Sequence, residues 1–329
     1  MATSQPAESA APAAKRPPRA QAAVFVIAGV ALAVLLATSG RYGYFRDTLY
    51  YLACARHLAW GYVDQPPLIA ALYWLVMHGL GTSLLALAVV PALADAGVIV
   101  LTAGLARELG GGRYAQVLAA LAAACVPVYL VQGRQFSMNI FEPLLWMGCA
   151  WLLLRMIQGG NQRLWLGFGA LAGLGLENKY SIAVFAAGLV AGLLLTRERR
   201  ALAQRWIWLG GLIALAIFLP NLVWNIRHHW PFFELMRNIR ASGKNVRLGP
   251  AGYWLTQGLM MAPANLLLWL PGLAWLFAAR HGRFRALGWA FVVTAGIFMA
   301  LHGKDYYTAP AYPILLAAGA AALEGFSAA

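Results

Sequence analysis

The chain has 329 residues, 61% of them hydrophobic and only 11% charged, with a formal net charge of +14 and a mean hydropathy of +0.66. That balance excludes a soluble globular enzyme. Apolar runs near the ~20 residues needed to cross ~30 Å of hydrocarbon recur along the chain, which predicts an all-α, polytopic transmembrane bundle. In such a protein an excess of Lys and Arg reflects short cytoplasmic loops and anionic headgroups, and no nucleic-acid partner is expected. Cys54, Cys125 and Cys149 have no C-x-x-C spacing, so neither a disulfide framework nor a zinc site is indicated.

In chain order, residues 1–21 are rich in Ala and Pro, carry Lys15, Arg16 and Arg19, and read as a disordered cytoplasmic tail. The run Ala22 to Thr38 is longer than a signal-peptide core and predicts an uncleaved first span. Further spans are expected at 83–105, 114–132, 138–157, 164–177, 179–195, 206–225, 254–277, 286–301 and 307–323, about ten in all, within one transmembrane domain covering 22–325. Positive-inside bias then puts Arg197, Arg199, Arg200 and Arg205 on the cytoplasmic side. Residues 40–81 become an extracytoplasmic loop with two surface helices. The first opens at Asp47-Thr48 and ends at Gly61, and Pro66-Pro67 separates it from the second. The stretch from Pro66 to Leu80 is roughly 22 Å long as a helix, too short to cross, and is expected to lie along the interface. Residues 226–253 form a second long outer loop, where Arg227, Arg237, Arg240, Lys244 and Arg247 stand among His228, His229, Trp230, Phe232 and Phe233. Gly169/Gly173 and Gly188/Gly192 have the spacing of close helix contacts. No Walker loop or G-x-G-x-x-G occurs, so a nucleotide-binding domain is not expected.

The chemistry concentrates at one surface. From Arg41 to Tyr51, Asp47 sits among two arginines and five aromatics directly after the first span, an arrangement suited to handling a lipid-borne anion beside a base. An aspartate that merely caps a helix contributes ~1 kcal/mol, which is the structural reading of Asp47. The same surface is expected to carry Asp64, Arg134, Asn139, Glu142, Glu177, Lys179, His302, Lys304, Asp305, Tyr306 and Tyr307. Glu142 lies about one turn inside its span, where an unpaired carboxylate costs several kcal/mol, so it should be paired or functional. Lys179 falls between two short spans and suits a phosphate, or simply snorkels to the interface. Asp95, deep in the second span without an evident partner, is the residue a transporter or lipid flippase would use.

The run Phe45-Arg-Asp-Thr-Leu-Tyr-Tyr-Leu-Ala-Cys-Ala-Arg-His-Leu-Ala-Trp-Gly-Tyr-Val-Asp-Gln-Pro-Pro-Leu68 resembles the first outer loop of bacterial membrane glycosyltransferases related to protein O-mannosyltransferases and lipid A aminoarabinose transferases, glycosyltransferase family 39 with the GT-C fold. The likeness continues through Gly173-Leu-Gly-Leu-Glu-Asn-Lys-Tyr180 and Gly303-Lys-Asp-Tyr-Tyr-Thr-Ala-Pro-Ala-Tyr-Pro313. It implies a multi-pass protein of the bacterial inner membrane. Such a protein moves a sugar from a polyprenyl-phosphate donor to a lipid, glycan or protein acceptor on the extracytoplasmic face. The family's catalytic first-loop aspartate corresponds to Asp47 and its second acid to Glu142. Arg134, Lys179 and Lys304 correspond to groups holding the donor phosphate, with Tyr50, Asp64, Gln65, His302, Tyr306 and Tyr307 lining the substrates. The family often has Asp-Glu where this chain has Asp47-Thr48, and commonly aspartate in place of Glu142. No cofactor is therefore demanded, and a divalent cation is left open. Members usually continue beyond the point where this chain stops, which keeps a short form or an inactive scaffold among the alternatives.

Overall fold

The computed structural model describes residues 18–242, 248–278, 282 and 284–327; Lys15, Arg16, Lys244 and Arg247 lie outside them. The described residues form fifteen α-helices and no strand. In chain order these are α1 (Gln21–Thr38), α2 (Arg46–Arg56), α3 (Leu68–Gly79), α4 (Leu84–Glu108), α5 (Arg113–Ala124), α6 (Pro127–Arg134), α7 (Phe141–Ile157), α8 (Leu164–Asn178), α9 (Ile182–Leu194), α10 (Arg205–Arg227), α11 (Pro231–Ala241), α12 (Pro250–Met260), α13 (Leu266–Phe277), α14 (Arg285–Ala300) and α15 (Tyr312–Ser327).

Local chemistry sets these boundaries. Ser83 accepts from the Ala86 N–H at 3.2 Å and opens α4. Proline stands at the first turn of α6, α11 and α12, where its missing N–H is no loss. At α5 the side chain of Glu324, from the last helix, accepts from the backbone N–H of Gly112 and of Tyr114, so a distant carboxylate closes a helix N-terminus.

The expected ten spans are not confirmed. Five helices are long and apolar enough to cross a membrane: Gln21–Arg41, Leu84–Glu108, Met138–Ile157, Arg205–Arg227 and Asp305–Ser327. The count reaches seven if α5–α6 and α12–α13, bent by 62° and 103°, are each one span. The first break follows from Val126, held extended before Pro127. The second follows from Ala262, at φ 65° before Pro263. The expected spans at 164–177, 179–195 and 286–301 fold as α8, α9 and α14, which have 15, 13 and 16 residues, short of the ~20 a straight crossing needs.

α15 sits at the centre, buried continuously from Tyr312 to Ala322, whereas α1 and α10 stay at the rim and turn Phe25, Val26, Val30, Trp208 and Leu212 outward. Between apolar helices the packing of small residues decides proximity. Gly169 and Gly173 of α8 meet α10, and Gly188 and Gly192 of α9 meet α14. A Cβ on Gly169 would overlap the Gly210 carbonyl, and one on Gly192 would overlap that of Ala286. Gly169→Val should therefore separate α8 from α10 and destabilise the protein by about 1–3 kcal/mol, read as a lower midpoint of thermal unfolding in detergent.

Helix direction sorts the polar residues to the two ends of the bundle. The N-termini of α4 and α7 and the C-termini of α6 and α8 share one end with α2 and α3. At the other end, the C-termini of α4 and α7 meet through Arg155 and Glu108, 3.3 Å apart.

Candidate active site

Asp47 is not a helix cap. The N-cap of α2 is Phe45, and Asp47 lies within the first helical turn, so its carboxylate is free of backbone duty and is stabilised by the positive end of the helix. Its one ion pair among the described residues is with the neighbouring Arg46, Nε to Oδ1 3.1 Å, and the Asp47 side chain is 42% exposed. An exposed pair of this kind contributes only ~0–1 kcal/mol.

One turn along α2, Tyr51 packs on Tyr73 of α3 with ring centroids 5.5 Å apart. Tyr73 stacks on Phe136 at 4.1 Å and donates its hydroxyl to the Phe136 carbonyl at 2.7 Å. Asp47 lies within electrostatic reach of both tyrosines. Tyr50 donates to Asp64 Oδ1 at 2.6 Å. Burial, followed by that bond and the Asp64 charge, pushes the Tyr50 phenol well above its ordinary pKa. Burial and then the charges of Asp47 and Asp64 do the same for Tyr51. Both phenols therefore stay protonated and serve as donors, which leaves the carboxylates as the bases of this surface.

A second cluster forms where α7 begins and α8 ends. Lys179 Nζ donates to Glu142 Oε2 at 2.7 Å and to Asn139 Oδ1 at 2.9 Å, and Ser181 donates to the other Glu142 oxygen. The Glu142 side chain is only 3% exposed, so the expectation that it must be paired is met by Lys179. The Lys179 ammonium also lies 4.4 Å from the Tyr307 ring centroid and 5.4 Å from that of Tyr306, a cation–π cradle. Lys304 reaches the outer face of Tyr306 at 5.8 Å. Tyr306 is within electrostatic reach of both Glu142 and Tyr51, and so bridges the Lys179 cluster to the helix that bears Asp47.

A polar latch ties the first loop to this cluster. Asn221 Nδ2 donates to the Trp60 carbonyl at 2.7 Å, and the Tyr180 hydroxyl donates to Asn221 Oδ1 at 3.0 Å. Asn225 Nδ2 bonds the same tyrosine at 3.1 Å. The sequence reading passed over Asn221, Asn225 and Ser181. The two asparagines were detectable as an i, i+4 polar pair on one face of an otherwise apolar helix.

Arg134 is elsewhere. It donates to the Thr38 carbonyl at 3.0 Å, lies 4.9 Å from the Tyr42 ring centroid, and lines a cavity of about 450 Å³ beside the start of α2. Among the described residues Arg134 is the only charged one in that lining, which Leu35, Leu84, Leu87, Val131 and Phe136 share with Tyr42, Tyr44 and Gln135. Thr48, next to Asp47, forms part of its rim. The expected ring of cations around one pocket is thus divided in two. Lys179 is paired with Glu142, and Arg134 stands in a groove lined mainly by apolar and aromatic side chains.

Gln65 is fully buried, with its amide 3.9 Å from Cys54 Sγ, so it holds the loop against α2 and presents no surface to a substrate. His302 is exposed at a left-handed turn, φ 52°, without a contact tying it to the cluster. Asp95 is buried beside Gly133, and its Oδ2 has no partner among the described residues. Glu142 has both oxygens engaged, and among the described residues no three His, Cys, Asp or Glu side chains converge.

A family model described as dolichyl-phosphate-mannose-protein mannosyltransferase matches residues 64–224, just under half of the chain. No curated protein sequence matches it. Among solved structures, the chain resembles ArnT from Cupriavidus metallidurans bound to undecaprenyl phosphate, with a TM-score of 0.72 and 20% identity over 92% of this chain and 60% of that one. The apo form of the same protein gives a TM-score of 0.68 at the same identity and coverage. The chain therefore spans less than two thirds of the length of the structures it matches. The chain is a multi-pass helical membrane protein of the GT-C fold that carries, over residues 64–224, the dolichyl-phosphate-mannose-protein mannosyltransferase family pattern.

Proposed function

We propose that the chain is a membrane glycosyltransferase that moves a sugar from a polyprenyl-phosphate donor to an acceptor on the extracytoplasmic face of the bacterial inner membrane, with Asp47 as general base. The observation that carries this reading is a groove whose described lining has one charge, Arg134, and whose rim includes Thr48 beside Asp47, on a helix that Tyr51 and Tyr306 link to the Glu142–Lys179 pair. Likeness to a protein crystallised with undecaprenyl phosphate supports the donor class.

The groove suits an isoprenoid phosphate. Its apolar walls accept the first prenyl units, and Arg134, with one guanidinium nitrogen spent on Thr38, keeps donors for phosphate oxygens. In the transfer the acceptor hydroxyl oxygen forms a bond to the anomeric carbon, and the bond from that carbon to the phosphate oxygen breaks. The hydroxyl proton passes to Asp47, and the electron pair leaves with the lipid phosphate. Lys179, already engaged by Glu142 and Asn139, holds Glu142 in place to orient the acceptor. Lys304, Tyr50, Tyr306, Tyr307 and Asp64 line the acceptor side.

Membranes containing the chain, given a labelled polyprenyl-phosphate sugar, should yield labelled product. Arg134→Gln should raise the donor KM by about tenfold or more, as expected for a lost charge-assisted hydrogen bond. An unchanged KM in that variant would remove the phosphate from the groove, and absence of labelled product from the unaltered chain would remove the activity.

A further inference from the structure

At the end of the bundle away from Asp47, α1, α4, α5 and α7 enclose a second cavity, of about 250 Å³. Three arginines line it, Arg19, Arg107 and Arg155, against one acid, Glu108, so the lining charges sum to two positive. Trp151 and Phe25 stand in the same wall, with Val100 continuing it along α4.

The arginines are placed by specific contacts. Gln116 of α5 accepts from the Ala20 N–H at 3.0 Å and donates to the Pro18 carbonyl at 2.9 Å. That clamp fixes the chain on both sides of Arg19 and sets it at the cavity rim. Gly104 leaves room for the Trp151 ring, which any Cβ there would strike. Arg155 bonds Glu108 through Nη2 at 3.3 Å, but its Nε is buried with no acceptor among the described residues. The Arg155 side chain is nonetheless 38% exposed, and a guanidinium with donors beyond one ion pair, in the wall of a cation-lined cavity, suits an anionic oxygen.

We propose that this cavity binds an anionic phospholipid of the leaflet opposite the Asp47 face. The lipid phosphate accepts from the guanidinium groups of Arg19 and Arg155, and an acyl chain runs over Phe25 and Val100. The apolar wall is continuous with the outward face of α1, where Phe25 is 58% and Val26 64% exposed, which selects a lipid over a free anion. The excess of arginines selects an anionic head over a zwitterionic one, whose own cation would meet the guanidinium groups. The proposal stands independently of the glycosyl-transfer reading.

Native mass spectrometry of the purified full chain, titrated separately with phosphatidylglycerol and phosphatidylcholine, tests it. Phosphatidylglycerol should bind about tenfold more tightly. Arg19→Gln, an exposed change, should lose most of that preference. Arg155→Lys, which keeps a cation beside Glu108 but removes the planar fork of guanidinium donors, should weaken it too, and Arg41→Gln at the opposite end should leave it intact. Equal binding of the two lipids overturns the proposal, as does an unaltered preference in both cavity variants. Displacement of phosphatidylglycerol by equimolar inorganic phosphate would make the cavity a free-anion site and overturn it as well.

Discussion

Asp47→Asn should leave the protein folded and inserted while lowering sugar transfer by about 10²–10⁴-fold, the range that a positioned general base supplies. The two halves of that expectation separate because of where the side chain sits. Asp47 caps no backbone group, and its one ion pair, with Arg46, is exposed, so its removal costs at most ~1 kcal/mol of stability. Tyr50 and Tyr51 cannot replace it, because burial and the surrounding carboxylates hold both phenols protonated. The measurement is the initial rate of label transfer from a polyprenyl-phosphate sugar at matched protein levels. Transfer by Asp47→Asn within about twofold of the unaltered chain would take the proton-accepting role away from this residue. Arg46→Gln is the internal comparison: it breaks the same ion pair but should keep most of the activity.

The sequence showed the site in outline, and the limits of that outline are geometric. Position along a helix gives depth, and the expected alternation of spans put Asp47, Glu142, Lys179 and Tyr306 at one end of the bundle. It gives no azimuth, and for that reason Arg134 was expected in the same pocket as Lys179, whereas it lines a groove in whose described lining Lys179 has no part. The carboxylate of Glu142 was readable as a paired group because burial leaves a charge few alternatives; its partner was readable only from the fold. A shift of two residues in the start of α2 turned Asp47 from a cap into a free side chain, a difference smaller than the uncertainty of any helix boundary. The bend at Ala262 was legible only as a possible break before Pro263, since a positive φ in an alanine is imposed by packing and has no residue-type signature.

Lys179→Met should be the most destabilising single change at the site. It strands Glu142, 3% exposed, with only Ser181 facing its charge. Breaking a buried ion pair from one side costs about 3–5 kcal/mol. It also removes the cation from between Tyr306 and Tyr307, loosening the bridge between the two halves of the site. The double variant Lys179→Met with Glu142→Gln should recover most of the lost thermal stability, because no uncompensated charge then remains buried. It should not recover transfer, since the group that orients the acceptor has been replaced. Thermal unfolding in detergent and transfer rate, measured on the two single variants and the double, separate these effects. Equal stability of Lys179→Met and the unaltered chain would mean that Glu142 is compensated by another group. Full activity in the double variant would reduce the pair to a fastening between α7 and α8 and leave Asp47 to act without it.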